Sequence, residues 1–172
     1  LALQRQGANA YKPVRNPYID AYIKSAREFS GITLITASRY IKYCLKFADT
    51  PQVFNFFGDQ RADQRAGMVL DFFGLPCSFF TGAELIAQRR QLPMVYLRSQ
   101  RLGFAKYRYE FVPLDADASE FGARTQQAIK LLEEDIKRSP VRYFWMHNRF
   151  KRIPAVSAGL VNAAVNSSGA DS

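Results

Sequence analysis

One histidine stands in the 172 residues, His147, inside "YFWMHNRFKRIP" with the single tryptophan, Trp145, and a run of cations. An imidazole there has three uses: general base, phosphate contact or packed side chain. A base working on a hydroxyl needs its ring oriented, commonly by a carboxylate, and position 152, five residues on, is Arg. A Ser or Cys nucleophile would have to share the same imidazole. The chain has no Gly-x-Ser-x-Gly elbow, no phosphate-cradling glycine loop and no metal-ligand spacing. Asp59 and Asp63, in the tandem "DQRADQRA", do not by themselves make the carboxylate pair of glycoside chemistry.

A formal charge of +9 points to an anionic partner: nucleic acid, an acidic membrane surface, a phosphorylated substrate or an acidic carrier protein. No nucleic acid is expected, because most of the aromatics fall in predicted strands and on inward helix faces and no RNA or DNA motif is legible. Cys44 and Cys77 sit in apolar surroundings without paired spacing, as reduced core residues. "MVLDFFGLPCSFF" is broken by Asp71, Gly74 and Pro76, so no segment is long and apolar enough to span a bilayer. The opening "LALQRQG" has neither an initiator Met nor a signal peptide and reads as the inside of a longer protein.

The elements that must position any site follow from local signals. Asn16 before Pro17 predicts a helix start, with Ile19, Tyr22, Ile23 and Ala26 on its apolar face and Gly31 as its left-handed stop. "ITLIT" from Ile32 predicts a strand, and residues 38–48 a second helix with Ile41, Cys44, Leu45 and Ala48 inward. "VFNFF", residues 53–57, reads as a buried strand ending in "GDQRADQRAG", the position at which open α/β sheets hold ligands. Thr81 and Glu84 form a capping box for a helix running to about Gln91. "MVYLR", residues 94–98, pairs as a hairpin with "YRYEFVP" across "SQRLGFAK". The longest helix covers 119–138, with Phe121, Ala128, Ile129, Leu132 and Ile136 inward. The order implies an α/β fold with a mixed central sheet flanked by helices, residues 1–154 as part of a single domain, and a disordered tail over 155–172.

Four segments, taken in order, resemble the lipid A biosynthesis acyltransferases, the lauroyl and myristoyl transferase branch of the lysophospholipid acyltransferase superfamily. "YKPVRNPYID" is similar to that family's Tyr-Arg/Lys-Pro segment, and "VFNFFGDQ" to its strand ending in Asp-Gln. "DFFGLPCSFFTGAELIAQR" is similar to its Phe-Gly and Thr-Gly block, and "VRYFWMHNRFKRIP" to its closing Trp-x-His-x-Arg signature. The resemblance implies a glycerolipid acyltransferase-like fold. It further implies transfer of a fatty acyl chain, from acyl carrier protein or acyl-CoA, to a hydroxyl of a phosphorylated glycolipid. The setting would be lipopolysaccharide assembly at the cytoplasmic face of the bacterial inner membrane, with no cofactor.

The family's catalytic His and acidic residue, five positions apart, lie just before the Tyr-Lys-Pro segment. They are therefore expected upstream of Leu1, with an N-terminal membrane anchor. On the resemblance, residues 1–154 are the C-terminal portion of a single acyltransferase domain, and this chain alone is expected to be inactive. The resemblance places substrate binding on Lys12, Asp59 and Gln60, with Arg15 and Arg61 as further candidates; Lys12 stands where the family more often has Arg. Residues 136–170 carry six cations and no acid. Of these, Arg142, Arg149, Lys151 and Arg152, beside Tyr143, Phe144 and Trp145, would face an anionic membrane or an acidic carrier protein. In this reading Trp145 is packed and His147 is a hydrogen-bonding structural residue rather than the base. The alternative is a non-catalytic basic domain that binds anionic lipid surfaces.

Overall fold

The computed structural model describes residues 6–28, 31–60, 62, 67–116, 119–146 and 150. They form two compact units: residues 1–57 with Ile86–Leu92, and residues 58–85 with 93–172.

The first unit is built on a parallel sheet. Its strands are β1 (Gln6–Tyr11), β2 (Ile32–Thr36) and β3 (Gln52–Asn55), in the order β2-β1-β3. Parallel neighbours need crossovers, supplied by helices α1 (Pro17–Glu28) and α2 (Ala37–Lys46). The start of α1 follows the predicted chemistry: Asn16 Oδ1 accepts from the amides of Tyr18 (3.0 Å) and Ile19 (3.3 Å), and Pro17 takes the first helical position. Gly31 lies past its end at φ 79°. Ala8, Tyr40, Cys44 and Ile86 make a closed core on one face of the sheet. On the other, Tyr11 is buried and Lys24 of α1 lies over its ring at 5.2 Å.

Three features of this unit depart from expectation. The central strand, β1, carries no β-branched residue and was not anticipated; its small residues let α2 approach closely, and pairing on both sides holds it extended. β3, expected to be buried, is an edge strand with Val53 exposed, and Phe57 beyond it is exposed too. The apolar face assigned to α1 is also largely open, since the helix has no buried residue.

The second unit contains two antiparallel hairpins and a long helix. β4 (Gly67–Phe72) turns through Phe73 (φ 55°) and Gly74 (φ 77°) into β5 (Leu75–Phe80). Two successive left-handed residues match the twist of a two-residue hairpin. β6 (Val95–Gly103) and β7 (Lys106–Pro113) form the second hairpin, whose strands absorb most of the expected loop and turn at Phe104 and Ala105. α4 (Ala123–Arg138) follows, starting four residues later than predicted, and a 3₁₀ turn covers Pro140–Arg142. Phe72, Cys77, Phe79, Ile129 and Ile136 form the core. α3 (Gly82–Arg90) gives its first residues to this unit and those from Ile86 to the other.

The α/β class therefore holds, while the strands are distributed among the described residues over three small sheets rather than one mixed sheet. Cys44 and Cys77 are both buried free thiols, as the sequence implied. No helix of the described residues is long and apolar enough to cross a membrane. The tail over 155–172 lies outside the described residues.

Candidate functional site

In the first unit the site residues sit on the link between β1 and α1. The strand order places β2 on one side of β1 and β3 on the other, so the carboxyl end of β1 is a topological switch point, where open α/β sheets bind ligands. Lys12 is the first residue beyond that end, and Arg15 follows on the same link; both are exposed. The link is tied down locally. Asp20 Oδ1 accepts from the Val14 amide at 2.8 Å, Asn16 caps the helix, and Pro13 and Pro17 fix two φ angles. Two cations on a held segment beside a helix N-terminus suit a phosphate or carboxylate.

Beneath them the sheet carries a polar pair that the sequence reading missed. Asn55 Nδ2 donates to Asn9 Oδ1 at 2.7 Å, and the two residues are register partners in β3 and β1. Only Asn55 carried a signal, a polar residue inside the apolar run "VFNFF"; Asn9 carried none, because β1 does not read as a strand. Tyr40, from α2, places its hydroxyl near the carbonyls of Ala8 and Asn55, and burial pushes its ionisation upward. Cys44 beside it is raised to about 11, chiefly by burial. Neither group is prepared as a nucleophile at neutral pH.

In the second unit Asp59 and Gln60 are exposed at the start of the "GDQ" loop. The Tyr143 hydroxyl donates to the Asp59 carbonyl at 3.1 Å, so the closing aromatic motif holds the loop that carries the acid. Tyr143 also packs against Phe72, which stacks on Phe150 at 5.8 Å. Parts of three of the four sequence motifs thus meet in this unit, at Asp59, Phe72 and Tyr143. Asp59 contributes a minor upward push to the ionisation of Tyr96, after burial and Asp135.

Glu84 departs from its expected role. Rather than folding back on its own helix, its buried carboxylate receives the amides of Gly122 (3.0 Å), Arg124 (3.2 Å) and Thr125 (3.0 Å) and the Thr125 hydroxyl. It is the N-terminal cap of α4, supplied from another helix, and Gly122 provides no side chain for that purpose.

Of the proposed surface residues, Arg142 is exposed and donates through Nη1 to the Arg101 carbonyl at 3.0 Å. Trp145 is a correction: the indole is 52% exposed, edge-on to Tyr143 at 4.9 Å, with Nε1 donating to the Pro140 carbonyl at 2.7 Å. A closing segment rich in side-chain anchors leaves its aromatic faces half open because the chain behind it is a 3₁₀ turn rather than a packed helix. Arg61, His147, Arg149, Lys151 and Arg152 lie outside the described residues. Among the described residues no group of three or more His, Cys, Asp or Glu could hold a metal ion.

No curated protein matches the chain. The family model for bacterial lipid A biosynthesis acyltransferases matches residues 1–152, nearly the whole sequence, and the chain belongs to that family.

Proposed function

We propose that the protein takes part in moving a fatty acyl chain from acyl carrier protein or acyl-CoA to a hydroxyl of a phosphorylated glycolipid, at the cytoplasmic face of the inner membrane. Family membership over residues 1–152 carries this reading. Lys12 and Arg15, exposed beyond the carboxyl end of the central parallel strand, support it as the pair that receives an acceptor phosphate. In the transfer the acceptor oxygen attacks the thioester carbonyl, the C–S bond breaks, and the donor leaves as a thiol. The hydroxyl proton goes to the family's His and acidic pair, which belongs ahead of the Tyr11-Lys12-Pro13 segment.

The test is Lys12→Gln in the full natural protein, assayed for acyl transfer to a phosphorylated acceptor and to its dephosphorylated form. A charge-assisted hydrogen bond contributes about 1.5–3 kcal/mol, so KM for the phosphorylated acceptor should rise about 10- to 100-fold, with a much smaller change for the dephosphorylated one. Equal effects on both acceptors would remove Lys12 from phosphate recognition.

A further inference from the structure

We propose that the tip of the β6–β7 hairpin, joined to the 3₁₀ turn at Pro140–Arg142, is the surface that enters the headgroup layer of an anionic bilayer. The inference deepens the membrane part of the function proposed above and rests on it. Two observations carry it. The first is an inverted hairpin. Its inward face is polar: Arg98, 15% exposed, meets Glu110 (3.5 Å), Glu134 (3.2 Å) and Asp135 (2.8 Å), and the Tyr96 hydroxyl donates to Asp135 at 3.0 Å. Its outward face is apolar and open, with Leu97 opposite Phe111 and Tyr107 stacked beside Tyr109, all exposed. At the turn Phe104 is 91% exposed. Aromatics of this kind, Tyr set back and Phe at the tip, match the polarity gradient of a membrane interface.

The second observation is charge. Residues 99–109 contain Arg101, Lys106 and Arg108 and no acid. The Arg142 bond to the Arg101 carbonyl brings a fourth cation to the same end, together with Val141, 89% exposed. Like charge opposes pairing of two such tips from separate copies. Leu97, Leu102 and Val141 stand exposed among the rings of Phe104, Tyr107 and Tyr109, and aliphatic side chains gain from acyl chains while offering a base nothing to stack on, which favours lipid over nucleic acid. Cations around an aliphatic and aromatic point fit anionic headgroups above acyl chains.

Sedimentation of the 172-residue chain with phosphatidylglycerol–phosphatidylethanolamine vesicles, against phosphatidylcholine vesicles, tests this. Phe104→Ala should weaken binding about 10-fold or more, the effect of withdrawing one large apolar side chain. The double variant Lys106→Gln/Arg108→Gln should weaken it about 25-fold on anionic vesicles alone, at about fivefold per cation. In a Phe104→Trp/Trp145→Phe protein, brominated lipid should quench the emission. If both hairpin variants sediment like the parent, this surface is overturned while the membrane reading stands; if the parent itself ignores anionic vesicles, the membrane reading fails as well. A melting temperature lowered by several degrees in Phe104→Ala would show a tip packed on protein, and lost carrier-protein binding with vesicle binding intact would show an acidic protein as the occupant. Either result overturns the proposal.

Discussion

Replacing Glu84 by Gln should destabilise the second unit by about 2–5 kcal/mol, a large effect for an isosteric change. The carboxylate is 2% exposed and serves four donors, two on each oxygen. A glutamine keeps one acceptor oxygen and turns an NH2 group toward the other two donors. If the NH2 faces the Gly122 and Arg124 side, two backbone amides lose their partner, at about 1–3 kcal/mol each. If it faces Thr125, the hydroxyl can rotate to accept, but one amide is still stranded. Loss of the negative charge at the positive end of α4 adds about 1–2 kcal/mol in a buried geometry. Urea unfolding should show a lower midpoint at an unchanged slope, and amide exchange at residues 122–125 should accelerate. A double-mutant cycle gives the sharper discrimination. Glu84→Gln and Thr125→Val should couple by about 1 kcal/mol or more, whereas Glu84→Gln and Thr81→Ala should be nearly additive. Coupling to Thr81 with none to Thr125 would refute the cross-helix cap and restore the capping box that the sequence implied.

Two further outcomes follow from buried groups. Arg98→Ala should lower stability by about 2–4 kcal/mol, because three carboxylates lose their shared cation; solvent limits the loss, since Glu110 and Glu134 are more than half exposed. Amide exchange in β6 and β7 should rise more than in β4 and β5, and equal rises would show that the ion pairs do not anchor the hairpin. Cys44, raised to about 11 by burial, keeps its proton in the folded protein after an unfolded thiol has lost its own. Its contribution to stability is therefore complete below about pH 9 and is lost as pH rises toward 11, with the buried Tyr40 hydroxyl acting in the same direction. Cys44→Ala should flatten the alkaline fall in melting temperature; an unchanged slope would place the effect elsewhere.

How much of this was legible in the chain depended on whether the signal was local. The Asn16-Pro17 start and Gly31 stop of α1 need only neighbouring backbone groups, and both took the expected form. The inward positions Ile129 and Ile136 followed from helical spacing. β1 was not legible, because "QGANAY" has one strand-forming residue, Tyr11, at its very end and is held extended by partners on both sides. The turn at Phe73-Gly74 lacks the usual Asn-Gly signature; left-handed Phe73 is held by the hydrogen bond its backbone N–H donates to Glu133 Oε1 at 2.6 Å, sixty residues away. Alternation in "VYLRS" announced two faces without saying which would be covered. The acids of α4 decided that by claiming Arg98 and Tyr96, which sent Val95 and Leu97 outward. At the candidate site, Lys12 and Arg15 came from the family resemblance, and the switch point gave them a structural reason. The Asn9–Asn55 pair and the Glu84 cap depend on register and on a distant helix, which no window of sequence contains.

The bond from Tyr143 to the Asp59 carbonyl spans 84 residues, and its place in the chain orders events in time. Synthesis runs from the N-terminus, so the "GDQ" loop emerges long before the tyrosine that fastens it. Until residue 143 has left the ribosome the loop has no partner at that carbonyl, and closing so long a span costs entropy before any contact repays it. The acid-bearing loop is thus among the last parts of this chain to acquire its final geometry. A premature stop between Leu92 and Tyr143 leaves every residue of the first unit's core in place while the Asp59 loop stays unfastened.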